Sequence, residues 1–160
     1  TTEIYTLSLH DALPISELDG WLALGAHLPP KEKRGMVLVD PPFEKEGEFD
    51  RLVDGLAKAY KRFGGGIYAL WYPVKDRKET ERFTRHLRET GIPKIMQIEL
   101  AIRAPSAEPR LDGTGMIVVN PPYTLESEMQ TLLPCLTKLL AEEKGSNFSI
   151  KWVRSETDRT

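Results

Sequence analysis

The chain has 160 residues, of which 40% are apolar and 29% are charged, and these values are typical of one globular domain. No apolar run approaches the roughly 20 residues that a membrane span needs, and the formal net charge of -2 neither favours nor excludes a nucleic-acid partner. Cys135 is the one cysteine, which excludes a disulfide framework and a thiolate metal cluster and fits a reducing, cytoplasmic setting.

The first fifteen residues, 1–15, differ in origin from the rest of the chain. They back-translate without a mismatch to a widely used short-read sequencing adapter, and chance agreement over that length is negligible. We therefore expect a non-native segment that lies outside the fold, joined to a reading frame that begins in mid-domain. A partial domain is expected over residues 16–154, followed by a polar, frayed tail at 155–160.

The remaining sequence alternates predicted helices and strands. A short helix within residues 16–28 comes first. Apolar runs bounded by glycine or proline predict strands at residues 35–39, 67–72, 94–102, 115–119 and 149–153. Apolar residues at helical spacing predict helices at residues 50–63, 76–90 and 125–140, the last with a kink or break at Pro134. This order predicts an α/β fold, the second half of a doubly wound sheet, that finishes in an antiparallel hairpin.

The Asp40 loop, Asp40-Pro41-Pro42-Phe43, directly follows the strand predicted at residues 35–39. Ligands of doubly wound sheets bind at such carboxyl ends of strands. A carboxylate there can accept a hydrogen bond from the exocyclic amine of adenine and keep the nitrogen lone pair available. The prolines fix the backbone so that a carbonyl can take the second amine hydrogen, and the phenyl ring offers a stacking surface. A plain proline-stiffened turn is the alternative that four residues leave open.

A second copy of this pattern, the Asn120 loop, is Asn120-Pro121-Pro122-Tyr123. We favour Asp40 as the functional copy because only Asp40 carries a full charge and is the stronger acceptor. Asn120 is predicted to end the second strand of the hairpin, at the far edge of the sheet. We interpret its loop as an N-terminal cap and a stiff entry to the following helix.

Three further features each allow a functional and a structural interpretation. Asp19-Gly20 could reach the adenine amine of a nucleoside cofactor or form a surface turn. Trp71-Tyr72 could wall a pocket beside Asp40 or belong to the core. The basic residues could contact RNA phosphates, although a solvated helix face is the commoner meaning. Those chosen for RNA contact are Lys61, Arg62, Lys75 and Arg77.

Five blocks in constant order closely resemble the ribosomal RNA large subunit methyltransferase J family: residues 34–44, 60–63, 68–74, 94–100 and 114–118. The resemblance extends from about residue 19 to residue 153. It implies the C-terminal half of a Rossmann-like class I methyltransferase sheet, S-adenosylmethionine as cofactor and N6-methylation of an adenine in 23S ribosomal RNA. It also implies 23S rRNA as partner, with no membrane and no metal, and leaves the oligomeric state open, a monomer included.

The resemblance also implies roles for individual residues. The family's proton-accepting aspartate maps onto Asp40, with Pro41, Pro42 and Phe43 completing the catalytic loop. Phe43 stands where the family often has tyrosine. The acidic-glycine pair that touches the cofactor maps onto Asp19 and Gly20, and Asp40 is expected to face the cofactor as well.

The chain departs from the family because the family's first half, with its glycine-containing cofactor loop, is missing. Two alternatives stay open. One is an inactive fragment that binds no cofactor. The other is a DNA adenine-N6 methyltransferase, which shares the tetrapeptide but not the other blocks.

Overall fold

The computed structural model describes residues 17–105 and 110–156. The predicted adapter segment, residues 1–15, lies outside this part of the chain, as do residues 157–160 of the predicted tail. The proposed division of the chain at these points stays a prediction. The described elements, in chain order, are α1 (Gly20–Ala26), β1 (Met36–Val39), α2 (Glu48–Arg62), β2 (Ile67–Val74), α3 (Arg77–Glu89), β3 (Ile95–Ala101), β4 (Gly113–Val119), α4 (Leu125–Leu140) and β5 (Asn147–Arg154).

The five strands form one sheet in the order β1-β2-β4-β3-β5. β1 pairs with β2 in parallel, with Val39 opposite Leu70, and every other pairing is antiparallel. The predicted α/β fold with an antiparallel hairpin, β3–β4, is confirmed. The placement of the hairpin's second strand at the edge of the sheet was wrong, because β4 lies between β2 and β3 and pairs with both.

The sheet has a helical layer on each face. On one face, α2 and α3 bury Leu52 and Phe83 completely or almost completely against Tyr72 of β2. On the other face, α4 packs Leu133 against a cluster that includes Met96 of β3. Apolar residues at helical spacing build these contacts, since one stripe of each helix must leave water.

The helices α2 and α3, which follow the two strands of the parallel pair, are stabilised at their ends. α2 carries acidic residues in its first turn and basic residues in its last, which complements the helix dipole. Asp76 caps α3 by accepting a hydrogen bond from the backbone N–H of Lys78 at 2.8 Å. Because α2 follows β1 and α3 follows β2, both helices begin at the end of the sheet where these parallel strands finish. They carry the chain back to the opposite end.

Proline and cysteine positions correct three expectations. Pro73 lies inside β2 and does not end it. β1 ends opposite Leu70, so no neighbouring strand on that side requires an N–H from residue 73. Pro134 lies within α4, which continues to Leu140 without a break. Cys135 lies among leucine residues in the sequence, a setting that predicts a core position, but it is exposed.

In the described part of the chain, no helix combines the length and the apolar character needed to cross a bilayer.

We predict that Gly115→Ala destabilises the protein by about 1–3 kcal/mol, the usual cost of overpacking a core. A Cβ atom at this position in β4 would overlap the ring of Tyr72, which is fully buried and cannot move aside cheaply. Urea unfolding measures the change. Gly65→Ala is the matched control, because a Cβ at position 65 meets no atom within 4 Å. Equal stability of the two variants would contradict this packing.

Candidate active site

The Asp40 loop lies at the carboxyl edge of the parallel strand pair. Asp40 is the first residue after β1 and its side chain is exposed, whereas Pro41 is buried. Because β1 and β2 run in the same direction, the end of β2 lies beside this loop. The predicted position of Asp40 at the end of a strand is therefore where the structure has it.

Phe43 is fixed by two aromatic neighbours. Its ring centroid lies 4.9 Å from that of Phe49 and 5.9 Å from that of Trp71. Its backbone has φ 52°, in the left-handed region, which costs a residue with a side chain about 1 kcal/mol or more. The ring contacts offset this cost and hold the ring half-buried at the mouth of the loop. Of the predicted pair, Trp71 contacts Phe43 of this loop, whereas Tyr72 belongs to the core.

A groove of about 860 Å³, the α1–β1 groove, leads to the same loop. It is lined by residues of α1 and its C-terminal side, by all four residues of β1, and by Asp40, Pro41 and Pro42. Its size lies within the range of small-molecule sites. The lining is mixed: Met36 and Leu38 are 63% and 64% exposed, and Asp40 supplies a carboxylate. Gly20 and Asp40 thus line one cavity, although twenty positions separate them in the sequence.

Asp19 has a structural task next to this groove. Its carboxylate caps α1 by accepting hydrogen bonds from the backbone N–H groups of Trp21 at 2.8 Å and Leu22 at 3.2 Å. The Trp21 ring packs against Gly55 of α2. The guanidinium carbon of Arg51 lies over this ring, 5.7 Å from its centroid. The cap and the tryptophan together fix the helix that forms one wall of the groove.

The Asn120 loop lies at the opposite end of the strands from the Asp40 loop. β4 runs antiparallel to β2, so its last residue, Val119, pairs with Tyr68 near the start of β2. The Asn120 side chain donates hydrogen bonds to the carbonyl oxygens of Gly64 at 2.9 Å and Gly66 at 2.8 Å. The interpretation of Asn120 as a helix cap was wrong, because α4 begins after Thr124 and the Asn120 amide fastens the turn before β2.

A buried polar cluster beneath the aromatic residues was missed by sequence reasoning. The hydroxyl of Tyr72 donates to Glu99 at 3.0 Å, and Gln97 donates to that hydroxyl at 2.8 Å. Arg77 pairs with the other oxygen of Glu99 at 2.7 Å. Burial, followed by the nearby Glu99 carboxylate, raises the pKa of Tyr72 well above its usual value. The sequence signal for this cluster was the pair Gln97 and Glu99, two polar residues at alternate positions of a strand that is buried on both faces.

The four basic residues selected for RNA contact divide into two groups. Lys61 and Arg62 end α2 at the edge far from Asp40, and Arg62 donates to the Leu28 carbonyl at 3.0 Å. Lys75 and Arg77 follow β2 on the Asp40 side of the sheet. Lys75 is exposed and lines a small cavity together with Phe43.

Across the residues that the structure describes, no group of three or more histidine, cysteine or acidic side chains is arranged to hold a metal ion.

The strand order and the Asp40 loop together define a class of protein. Across the sheet, the parallel pair β1–β2 is followed by β4, which runs in the opposite direction, and then by β3, which runs in the same direction as the pair. An acidic-Pro-Pro-aromatic loop directly follows β1. This combination is that of the second half of a Rossmann-like methyltransferase sheet.

Comparison with known proteins agrees with this class. The family model described as "Ribosomal RNA large subunit methyltransferase D, RlmJ" matches residues 5–154. Two curated relatives are named ribosomal RNA large subunit methyltransferase J. The one from Haemophilus influenzae is 45% identical over 86% of this chain and 49% of the relative. The one from Escherichia coli is 42% identical over 89% of this chain and 51% of the relative.

A crystal structure of a Legionella pneumophila protein of the DUF519 family superposes with a TM-score of 0.76 at 37% identity. The match covers 84% of this chain and 49% of that one. The chain therefore belongs to the ribosomal RNA large subunit methyltransferase J family, and it spans about half the length of the curated relatives it matches. Membership of this family weighs against the alternative of a DNA methyltransferase.

We predict that Gly55→Ala displaces Trp21 and loosens α1 from α2. Alanine in a helix interior normally stabilises by roughly 1 kcal/mol relative to glycine. Here the new Cβ would lie 2.5 Å from the Trp21 ring, so the ring must move and the gain is lost. Acrylamide quenching of tryptophan fluorescence should increase while the melting temperature stays level or falls. Gly25→Ala is the control, since its Cβ meets no atom within 4 Å and should leave quenching unchanged.

Proposed function

We propose that the whole protein transfers a methyl group from S-adenosylmethionine to the N6 amine of an adenine in 23S ribosomal RNA, and that this chain supplies the side that holds the adenine. The observation that carries the proposal is the Asp40 loop, placed at the carboxyl edge of the sheet beside a groove of small-molecule size. The names of the two curated relatives support ribosomal RNA as the substrate.

The chemistry required of this chain is the recognition of an aromatic amine. The exposed Asp40 carboxylate accepts one amine hydrogen, and the Pro41 carbonyl accepts the other. With both hydrogens held, the nitrogen lone pair points away from the ring plane and is available for bond formation. The proton released as the amine is methylated passes to Asp40 or to water. When bound, S-adenosylmethionine supplies an electrophilic methyl group.

Phe43 is the stacking surface for the target base. Its ring is half-buried against Phe49 and Trp71, so it stays in position when the adenine arrives. Such an adenine must leave its own base stack to reach the loop. The exposed Lys75 and the nearby Arg77 then lie on the side of the sheet from which the RNA strand would approach, whereas Lys61 and Arg62 would contact it only at a distance from the target base.

The α1–β1 groove fits one side of a nucleoside cofactor. Gly20 presents backbone without a side chain, Trp21 offers an aromatic surface, and Asp40 offers a carboxylate. The carboxylate of Asp19 already binds two backbone N–H groups, so its contribution is to hold α1 in place and thereby shape the groove. Of the expected cofactor residues, Gly20 and Asp40 are the ones that line the groove directly.

A second candidate is that this chain by itself binds no cofactor and is inactive. In the described residues, the outer edge of β1 pairs with no strand, and Met36 and Leu38 remain exposed beside it. The α1–β1 groove is accordingly open on that side. Titration calorimetry of the isolated chain with S-adenosylmethionine decides this question, and tight binding would exclude the inactive candidate.

We predict that Asp40→Ala lowers methyl transfer roughly 100-fold or more, the usual loss when a group that handles the reacting proton is removed. The assay uses a chimera in which this chain replaces the matched stretch of the Haemophilus influenzae relative. Transfer of labelled methyl to rRNA is followed by identification of the modified base. Glu44→Ala is the control, because it removes an exposed carboxylate from the same loop region. Full activity of the Asp40→Ala chimera would refute the role of Asp40.

A further inference from the structure

A second groove, the α3–β5 groove, lies between α3 and the outer strands of the sheet. It has a volume of about 280 Å³ and is lined by four cationic side chains: Arg77, Arg85 and Arg88 from α3, and Lys151 from β5. The lining contains no apolar side chain. Protein-binding surfaces have an apolar or aromatic centre, so a polar, cationic groove fits a phosphate backbone better than a protein partner.

The cations of this groove are largely free to bind an external anion. Within the described residues, Arg85 and Lys151 are exposed and their side chains form no hydrogen bond or ion pair with the protein. Arg88 uses its Nε to donate to the Val153 carbonyl at 3.0 Å, which orients the guanidinium and leaves its terminal nitrogens available. A guanidinium held in this way is well suited to phosphate oxygens.

The two acidic residues of the groove do not cancel this charge. Glu99 is already satisfied, since it pairs with Arg77 at 2.7 Å and accepts a hydrogen bond from Tyr72. Glu81 is exposed on α3. Four cationic side chains against two carboxylates leave the lining with a formal charge of +2.

The first cation of the α3–β5 groove is close in sequence to the cation beside the Asp40 loop. Lys75 lines a cavity with Phe43, and Arg77 begins the α3–β5 groove two residues later. From Arg77 to Arg88 the helix rises about 16 Å. At ~3.4 Å for each stacked nucleotide, this length corresponds to four or five nucleotides of one strand.

We propose that the α3–β5 groove binds the phosphate backbone of the RNA strand that flanks the target adenine. The inference rests on the proposed function, because RNA is taken as the substrate, and it adds the path that the strand follows on the protein surface. Binding there is independent of sequence, since arginine and lysine contacts to phosphates position a strand without reading its bases.

The test measures the affinity of the full chain for a labelled single-stranded RNA at several salt concentrations. The plot of log affinity against log salt has a negative slope, and removing two phosphate contacts with a single strand reduces the magnitude of that slope by about 1.4. We expect this fall, with weaker binding, for the double variant Arg85→Gln/Lys151→Gln. The matched control is Lys138→Gln/Lys144→Gln, which removes the same charge at exposed positions outside the groove and should match the wild type. Thermal unfolding verifies that both double variants fold.

Four results would overturn the inference. Wild-type slopes for the groove variant, or equal losses in both double variants, would remove the groove and leave the Asp40 assignment intact, since this measurement requires no methyl transfer. Absence of RNA binding by the wild type would also remove the groove, whereas the RNA substrate of the whole protein is tested separately by methyl transfer to rRNA in the chimera. Equal affinity for polyglutamate, lost in the same variant, would assign the groove to acidic protein segments.

Discussion

The parallel pairing of β1 with β2 is the constraint on which the candidate site depends. With Val39 opposite Leu70, both strands end at one edge of the sheet. The Asp40 loop then meets Trp71, and Lys75 leaves β2 beside Phe43. An antiparallel pairing would send the chain after β1 to the other edge and separate all of these groups. The direction of one short strand therefore decides whether the carboxylate, the aromatic ring and the cation share a site.

The antiparallel insertion of β4 separates the two similar tetrapeptides. Asp40 and Asn120 each follow a strand, but the two strands point in opposite directions, so the loops lie at opposite edges. Asn120 fastens the turn before β2, whereas Asp40 has an exposed carboxylate next to a groove. The insertion also places Gly115 against Tyr72, where only a residue without a side chain leaves room for the buried cluster of Tyr72 and Glu99.

Local patterns in the sequence were sufficient for the elements and for the Asp40 loop. The alternation of helices and strands follows from apolar spacing, and a polar residue after a buried strand marks a carboxyl edge. The position of β4 was not predictable in this way, because strand order depends on pairings between residues far apart in the chain. The function of Asn120 was misjudged for the same reason, since its partners Gly64 and Gly66 lie more than fifty residues away. The Arg77–Glu99 pair was likewise hidden by distance.

Recognition of the adenine amine by Asp40 and Phe43 is tested most directly by NMR titration of the ¹⁵N-labelled chain with two nucleotides. Adenosine monophosphate carries the 6-amine, and inosine monophosphate carries an oxygen in its place, so the pair isolates the hydrogen bonds at that position. We expect adenosine monophosphate to shift the amide signals of Asp40, Phe43 and Glu44, and inosine monophosphate to leave them nearly unchanged. Equal shifts with both nucleotides, or shifts that avoid this loop, would contradict the proposed role of the Asp40 loop.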